Sequence, residues 1–168
     1  MRAMKWRLCH QSLAGEMLEG RVQERDFSID EEWSNCRSRM GGDAGAIVAF
    51  AGLVRDQFED RNVQGLELEH YPGMTELSIQ RAGEYAIKQW ALLDVLIIHR
   101  VGSLNPSDQI VLVMVGSKHR PDAFAACECI MDFLKTEAVF WKKERSAEQS
   151  RWVESTQDDR DRRSSWES

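Results

Sequence analysis

LDVLIIHRVGSLNPSDQIVLVMVG, residues 93–116, is the stretch on which the fold turns. Two apolar runs, 93–101 and 109–116, flank a connection from Gly102 to Asp108 that contains Pro106. Short apolar runs bounded by turn residues read as strands, and 109–116 is apolar enough to be a central one. The link between them is tight. Hairpin-like connections of this kind argue for an α+β fold rather than a doubly wound parallel sheet.

Working outward toward the C-terminus, Ser117-Lys118-His119-Arg120-Pro121 follows the second run. Proline suits the first turn of a helix. The spacing predicts a helix to about Lys135, with Phe124, Cys127, Met131 and Leu134 turned inward. Residues 138–143, AVFWKK, read as a final strand. From Ser146 the chain is polar apart from Trp152-Val153, and the terminal SSWES is expected to fray.

Toward the N-terminus, Thr75 to Trp90 reads as an amphipathic helix, with Leu77, Arg81, Ala82, Tyr85, Ala86 and Trp90 at helical spacing. Residues 63–71 alternate, Leu66 and Leu68 against Glu67 and Glu69, as a half-buried strand does. Gly45 to Val54 is apolar at nearly every position and reads as a strand buried on both faces. Asp30 is placed to cap a helix through about Arg39, and a short strand fits after Gly20. Residues 1–20 show no clear period and are expected to form a loosely ordered arm. The resulting layout is an arm over 1–20, one domain over 21–154 and a polar tail over 155–168. The domain is a mixed sheet with two main helices, and no internal repeat interrupts it.

The bulk numbers narrow the function. The chain has 168 residues, enough for one domain with a proper core, and 42% hydrophobic with 30% charged residues is ordinary for a globular protein. No apolar run approaches the roughly 20 residues that span a bilayer, and the N-terminus carries no secretory signal. The cytoplasm is the default compartment, and there Cys9, Cys36, Cys127 and Cys129 are expected as free thiols. The net charge of -6 argues against general nucleic-acid binding. The charge is uneven, because residues 99–145 hold seven Lys/Arg against six Asp/Glu and the rest of the chain carries the whole acidic excess. A locally basic site on an acidic protein suits a small anionic ligand.

Three cationic groups are candidates for such a site, and each has a plainer alternative. His119 and Arg120 sit where a strand meets a helix N-terminus, whose free N–H groups attract anions; on the residues alone a solvated basic turn is the reading to prefer. Arg55 follows an apolar strand and reads also as a surface partner of Asp56 or Asp60. Lys135 and Lys142 flank Val139-Phe140-Trp141. If a helix ends near Thr136 and a strand follows, the two amines come from different elements and can converge; otherwise each covers an aromatic ring with its stem. No nucleophile elbow, glycine-rich phosphate loop or zinc spacing is present, so the chemistry suggested is metal-free, without a cofactor, and built on cations.

The segments GAIVAFAGLVRD, LELEHYPGMTE, IIHRVGSLNPSDQIVLV, SKHRPDAFAACECIMDFLKTEAVFWKKE and RWVE, in this order, resemble the catalytic (large) subunits of molybdopterin synthases. The resemblance covers about Phe27 to Glu154. It implies an α/β-hammerhead type of α+β fold. It also implies a sulfurtransferase that converts cyclic pyranopterin monophosphate to molybdopterin in molybdenum cofactor biosynthesis. The implied partners are a small ubiquitin-like subunit, whose C-terminal glycine carries the sulfur as a thiocarboxylate, and a second copy of the chain at the centre of a heterotetramer. By position, Lys135 and Lys142 match the family's catalytic lysines. His119, Arg120 and Arg55 match its substrate-binding groups, with Leu53 and Val54 beside Arg55, and Lys143 and Glu144 after Lys142 in the same wall. The chain departs from the family's usual pattern at Leu53, where a polar residue or lysine is common, and at Lys118, where a small one is. Two other readings remain beside this one: a non-catalytic scaffold for the small subunit, and a transferase or hydrolase acting on another phosphorylated heterocycle.

Overall fold

The computed structural model describes residues 6–11, 17–58, 61–62, 64–138, 140–145, 150–153 and 156–167. Among these, a five-stranded mixed sheet is built from β1 (Trp6–Gln11), β2 (Met17–Gln23), β3 (Ala46–Leu53), β7 (Leu92–Arg100) and β9 (Gln109–Ser117), in the order β1-β2-β7-β9-β3. The β2–β7 pair is parallel and the others are antiparallel. A second, four-stranded sheet has the order β11-β10-β6-β8, from β6 (Gly65–His70), β8 (Gly102–Leu104), β10 (Phe140–Arg145) and β11 (Ser150–Val153). Gln57–Phe58 (β4) and Arg61–Asn62 (β5) form a small separate ribbon. The helices are α1 (Ile29–Met40), α2 (Met74–Gln89), α3 (Arg120–Thr136) and α4 (Gln157–Ser164), the last followed by a 3₁₀ turn, Ser165–Glu167.

This is the expected α+β class, a mixed sheet with two long helices. The stretch 93–116 does what its pattern dictates: β7 and β9 pair antiparallel in the middle of the large sheet. Alternate residues of β7 supply two cores. Val95 and Ile97 pack with α2 and α3 residues such as Ile79, Ala126 and Ile130 on one face. Leu96 and Ile98 pack with Phe27, Cys36 and Met40 on the α1 face. Burial on both sides is why this strand shows no polar alternation.

Several local expectations are corrected. Residues 1–20 contain β1 and most of β2, so the first segment joins the large sheet instead of trailing as a loose arm; β2 takes its partner from distant β7, which local periodicity does not show. Helix α1 is capped by Ser28, whose hydroxyl accepts from the Glu31 N–H at 3.3 Å, two residues before the expected Asp30. On α2 the buried face is Thr75, Glu76, Ile79, Ala82, Gly83 and Ala86, rotated from the expected stripe, and Leu77 and Arg81 point outward. On α3, Phe124 is 62% exposed, whereas Cys127 and Leu134 are buried as expected. The polar C-terminal tail does not fray. Thr156 and Asp159 form a capping box that starts α4, and Trp166 packs edge-on against Trp90 while its indole N–H donates to Asp132 at 2.8 Å.

The largest correction concerns β3. Among the described residues it lies at the edge of the sheet, paired only with β9, and is not buried on both faces: Phe50 is 42% and Leu53 53% exposed. Across the sheet, α1 is clamped by buried charges, with Arg39 gripping Asp94 through two bonds of 2.8 and 2.7 Å.

Candidate active site

Lys135 occupies the last turn of α3, where the partial negative charge of the helix end favours a cation. The helix stops there because Glu137 caps it, its N–H donating to the Phe133 carbonyl at 2.8 Å. The chain then enters β10. In a strand, successive side chains face opposite ways, so Phe140 and Lys142 share one face and Trp141 and Lys143 the other. Lys142 pairs with Leu68 of β6 and Val153 of β11, which fixes its position across the sheet. Arg55 stands just past the end of β3. Its approach is held by the Val54 N–H donating to Asp108 (2.9 Å) and the Ser107 N–H donating to Val54 (2.8 Å).

These three cations come together. Two adjoining cavities, of about 870 Å³ and 540 Å³, share a wall made of Phe50, Arg55, Met131, Leu134, Lys135 and Lys142. Leu53 and Val54 line the smaller one. The chain therefore changes from helix to strand between Thr136 and Phe140, and two lysines seven residues apart converge from different elements.

The other sequence-derived candidates stand elsewhere. Lys143 faces away from the cavities, its ammonium 5.6 Å from the centroid of the Trp152 ring, as strand alternation requires. The Glu144 side chain lies outside the described residues. His119 and Arg120 are exposed and line neither cavity. They begin α3, whose rise of about 1.5 Å per residue puts them roughly 22 Å from Lys135 along the helix axis. Their turn is nonetheless well defined. Ser117 Oγ accepts from the His119 N–H at 3.2 Å, and Gly45 packs so closely that a Cβ there would meet the Lys118 carbonyl oxygen at 2.3 Å.

Two groups of site residues escaped sequence reasoning. The first is α4, which contributes Thr156, Asp158, Asp159 and Arg162 to the larger cavity. The Asp159 carboxylate accepts from Lys135 Nζ at 2.9 Å. Burial pushes the Asp159 acid up, but hydrogen bonds from Lys135 and Thr156 outweigh it and hold the group at about 2. Arg162 pairs with Glu128 and, at 3.4 Å, with Asp132, so α4 is also tied by charge to the turns of α3 that precede Lys135. The signal available was Thr156-x-x-Asp159, a helix-start pattern within a stretch whose polarity suggested a tail. The second is His99, a buried polar residue near the end of the largely apolar β7, which lines the smaller cavity. Burial, with Lys142 and His70 nearby, lowers its pKa to about 3, so the imidazole is neutral.

Among the described residues, no group of three His, Cys, Asp or Glu side chains is arranged to hold a metal, and no helix is long and apolar enough to cross a membrane. The shared wall sets three cations beside apolar side chains, a chemistry suited to an anion, while carboxylates of α3 and α4 line the rest of the larger cavity.

Comparison with known proteins places the chain in a family. The family model described as MoaE protein matches residues 22–137. The chain belongs to the MoaE family. The molybdopterin synthase catalytic subunit of Ralstonia nicotianae is 52% identical over 134 residues, 80% of this chain and 76% of the relative. That of Vibrio cholerae is 51% identical over 146 residues, 87% of this chain and 96% of the relative. Among solved structures, the molybdopterin biosynthesis MoaE protein from Burkholderia ambifaria superposes with a TM-score of 0.74 at 44% identity, covering 88% of this chain and 96% of that one. The MoaE chain described here is thus an enzyme subunit of molybdenum cofactor biosynthesis, with the catalytic role of a molybdopterin synthase.

Proposed function

We propose that the two joined cavities convert cyclic pyranopterin monophosphate to molybdopterin, taking sulfur from the C-terminal thiocarboxylate of a small ubiquitin-like subunit. The observation that carries this reading is the convergence of Arg55, Lys135 and Lys142 on one wall. Both reactants are anionic, and both need cations in a confined place. Lys135 stands beside the donor's terminal carbonyl, where its ammonium stabilises developing negative charge or moves a proton. Its ion pair with Asp159 supports this role, since a carboxylate already reaches that amine through the larger cavity. Lys142 and Arg55 hold the phosphorylated substrate, and Lys142 takes part in the acid–base steps. No cysteine of this chain is required as nucleophile, because the partner brings the sulfur. Cys36, Cys127 and Cys129 are buried free thiols, in keeping with a reducing cytoplasmic setting.

His119 and Arg120 enter this scheme through a second copy of the chain. The β3 edge is apolar, exposed and unpaired on its outer side among the described residues. Such an edge is a template for pairing. Ala46 at one end of β3 is in register with Ser117, next to His119 and Arg120, and Arg55 lies past the other end. Two β3 strands set antiparallel about a two-fold axis bring the His119–Arg120 turn of one copy to the Arg55 end of the other. The anion site is then completed across the dimer, at the centre of a heterotetramer with a small subunit at each end.

The decisive assay is dithiolene formation by the Lys135→Ala variant with thiocarboxylated small subunit. A loss of about a hundredfold or more is expected, and near-normal turnover rejects the assigned role.

A further inference from the structure

Among the described residues lining the smaller cavity, the charged side chains are Arg55, Lys135 and Lys142, all hydrogen-bond donors. His99 differs in kind. It stands in β7, 5% exposed, between Val22 of β2 and Val111 of β9. Its Nδ1 is 2.7 Å from the Arg100 carbonyl oxygen. A carbonyl only accepts, so Nδ1 carries the hydrogen and the lone pair belongs to Nε2. The ring is stacked on Phe140, 3.7 Å between centroids and 19° between planes, which fixes its orientation. Phe140 in turn precedes Lys142 on the same face of β10. The result is a rigid, neutral acceptor placed among cations.

We propose that His99 is a substrate-selecting residue, its Nε2 accepting a hydrogen bond from a ring N–H of a heterocyclic ligand whose anionic group is held by Arg55, Lys135 and Lys142. A phosphodiester carries no hydrogen to donate and has no use for an acceptor in a cation-lined cavity; a fused heterocycle bearing amide or amine N–H groups does. The apolar wall formed by Leu66, Ile110 and Val111 suits a flat ring. The inference rests on the pterin reading above and adds an orientation to it: the ring enters the smaller cavity, and the donor tail reaches Lys135 through the larger one. Discrimination follows because a ligand without the N–H leaves a buried acceptor unpaired.

The test is calorimetric titration of the full chain with cyclic pyranopterin monophosphate and, separately, with dimethyl phosphate, a phosphate diester without an O–H. His99→Phe keeps an aromatic ring against Phe140 and removes the acceptor. Its pterin affinity is expected to fall about tenfold, with dimethyl phosphate affinity unchanged, and His99→Gln, which restores an acceptor, recovers part of the loss. Equal pterin affinity in parent and His99→Phe overturns the assignment, and so does a parallel loss of dimethyl phosphate affinity. A second readout needs no variant: the ¹⁵N resonance of His99 Nε2 in the parent chain moves on saturation with the pterin and stays in place with dimethyl phosphate. A resonance unmoved by the pterin overturns the proposal even if a variant fails to fold. No pterin binding by the parent chain removes the functional reading as well, whereas tight parental binding that ignores His99 removes this inference alone.

Discussion

The two ends of α3 carry similar cations and meet opposite fates. At the C-terminal end, Lys135 faces Lys142 and Arg55 across a cavity wall and is paired with Asp159. At the N-terminal end, His119 and Arg120 lie exposed, on a turn that one chain leaves open. The same residue types thus make a site only where a second element closes over them. Around Lys135 that element is β10 together with α4; around His119 the single chain provides none.

The first way to break this contrast is to remove charge at each end. Lys135→Ala or Lys142→Ala is expected to lower turnover by about a hundredfold or more. His119→Ala or Arg120→Ala is expected to raise KM about tenfold, with smaller change in kcat. Mixing Lys135→Ala with Arg120→Ala chains sharpens the test. If the sites are shared between copies, half of the sites in a mixed dimer carry both lesions and half carry neither, so activity returns in the mixture; sites confined to one chain give no return.

A stability effect is expected at His99, the buried base between the two sheets. Its folded pKa, about 3, lies below the ordinary imidazole value of 6.5 because burial disfavours the charged ring. The unfolded chain therefore binds the proton first, and this residue's contribution is undiminished above pH 6.5 and lost progressively as pH falls toward 3. At pH 4 the loss is on the order of 3 kcal/mol. Urea unfolding from pH 7 to 4 measures it, and His99→Phe is expected to flatten the dependence.

The smallest effect concerns the α4 closure of the Lys135 end. Asp159 has its pKa lowered from 3.8 to about 2, so its contribution to docking is complete above about pH 4 and disappears as pH falls through 2. Asp159→Asn at neutral pH is expected to speed amide exchange across Gln157–Ser164 by about fivefold, since an ion pair half open to water is weak. Unchanged exchange would show that the contacts of Arg162, Arg163 and Trp166 hold the helix without it.

Much of this was legible along the chain. The β7–β9 hairpin, α3 after Pro121 and the change from helix to strand between Lys135 and Lys142 all follow from local pattern. The misreadings share one cause. The apolar run of β3 was taken as doubly buried because hydrophobicity records that a face is covered without recording by what, and here the cover is absent from the single chain. The polarity of residues 157–164 hid α4, whose contacts to α3 are ionic and leave no apolar stripe. The first twenty residues gained strands from a partner some eighty residues away.

By itself, then, the sequence determined the α+β class and the two central strands, because these depend on residue type and short-range spacing; the family, and with it the choice of Arg55, Lys135 and Lys142 as candidates, came from resemblance over whole segments. Tertiary structure alone decided which cations meet. It brought Arg55 to the lysines, sent Lys143 to the opposite face of β10, kept His119 and Arg120 roughly 22 Å away along α3, and placed Asp159 and His99 against the lysines. Proximity between distant segments is set by sheet order and helix length, and neither is written at any single position.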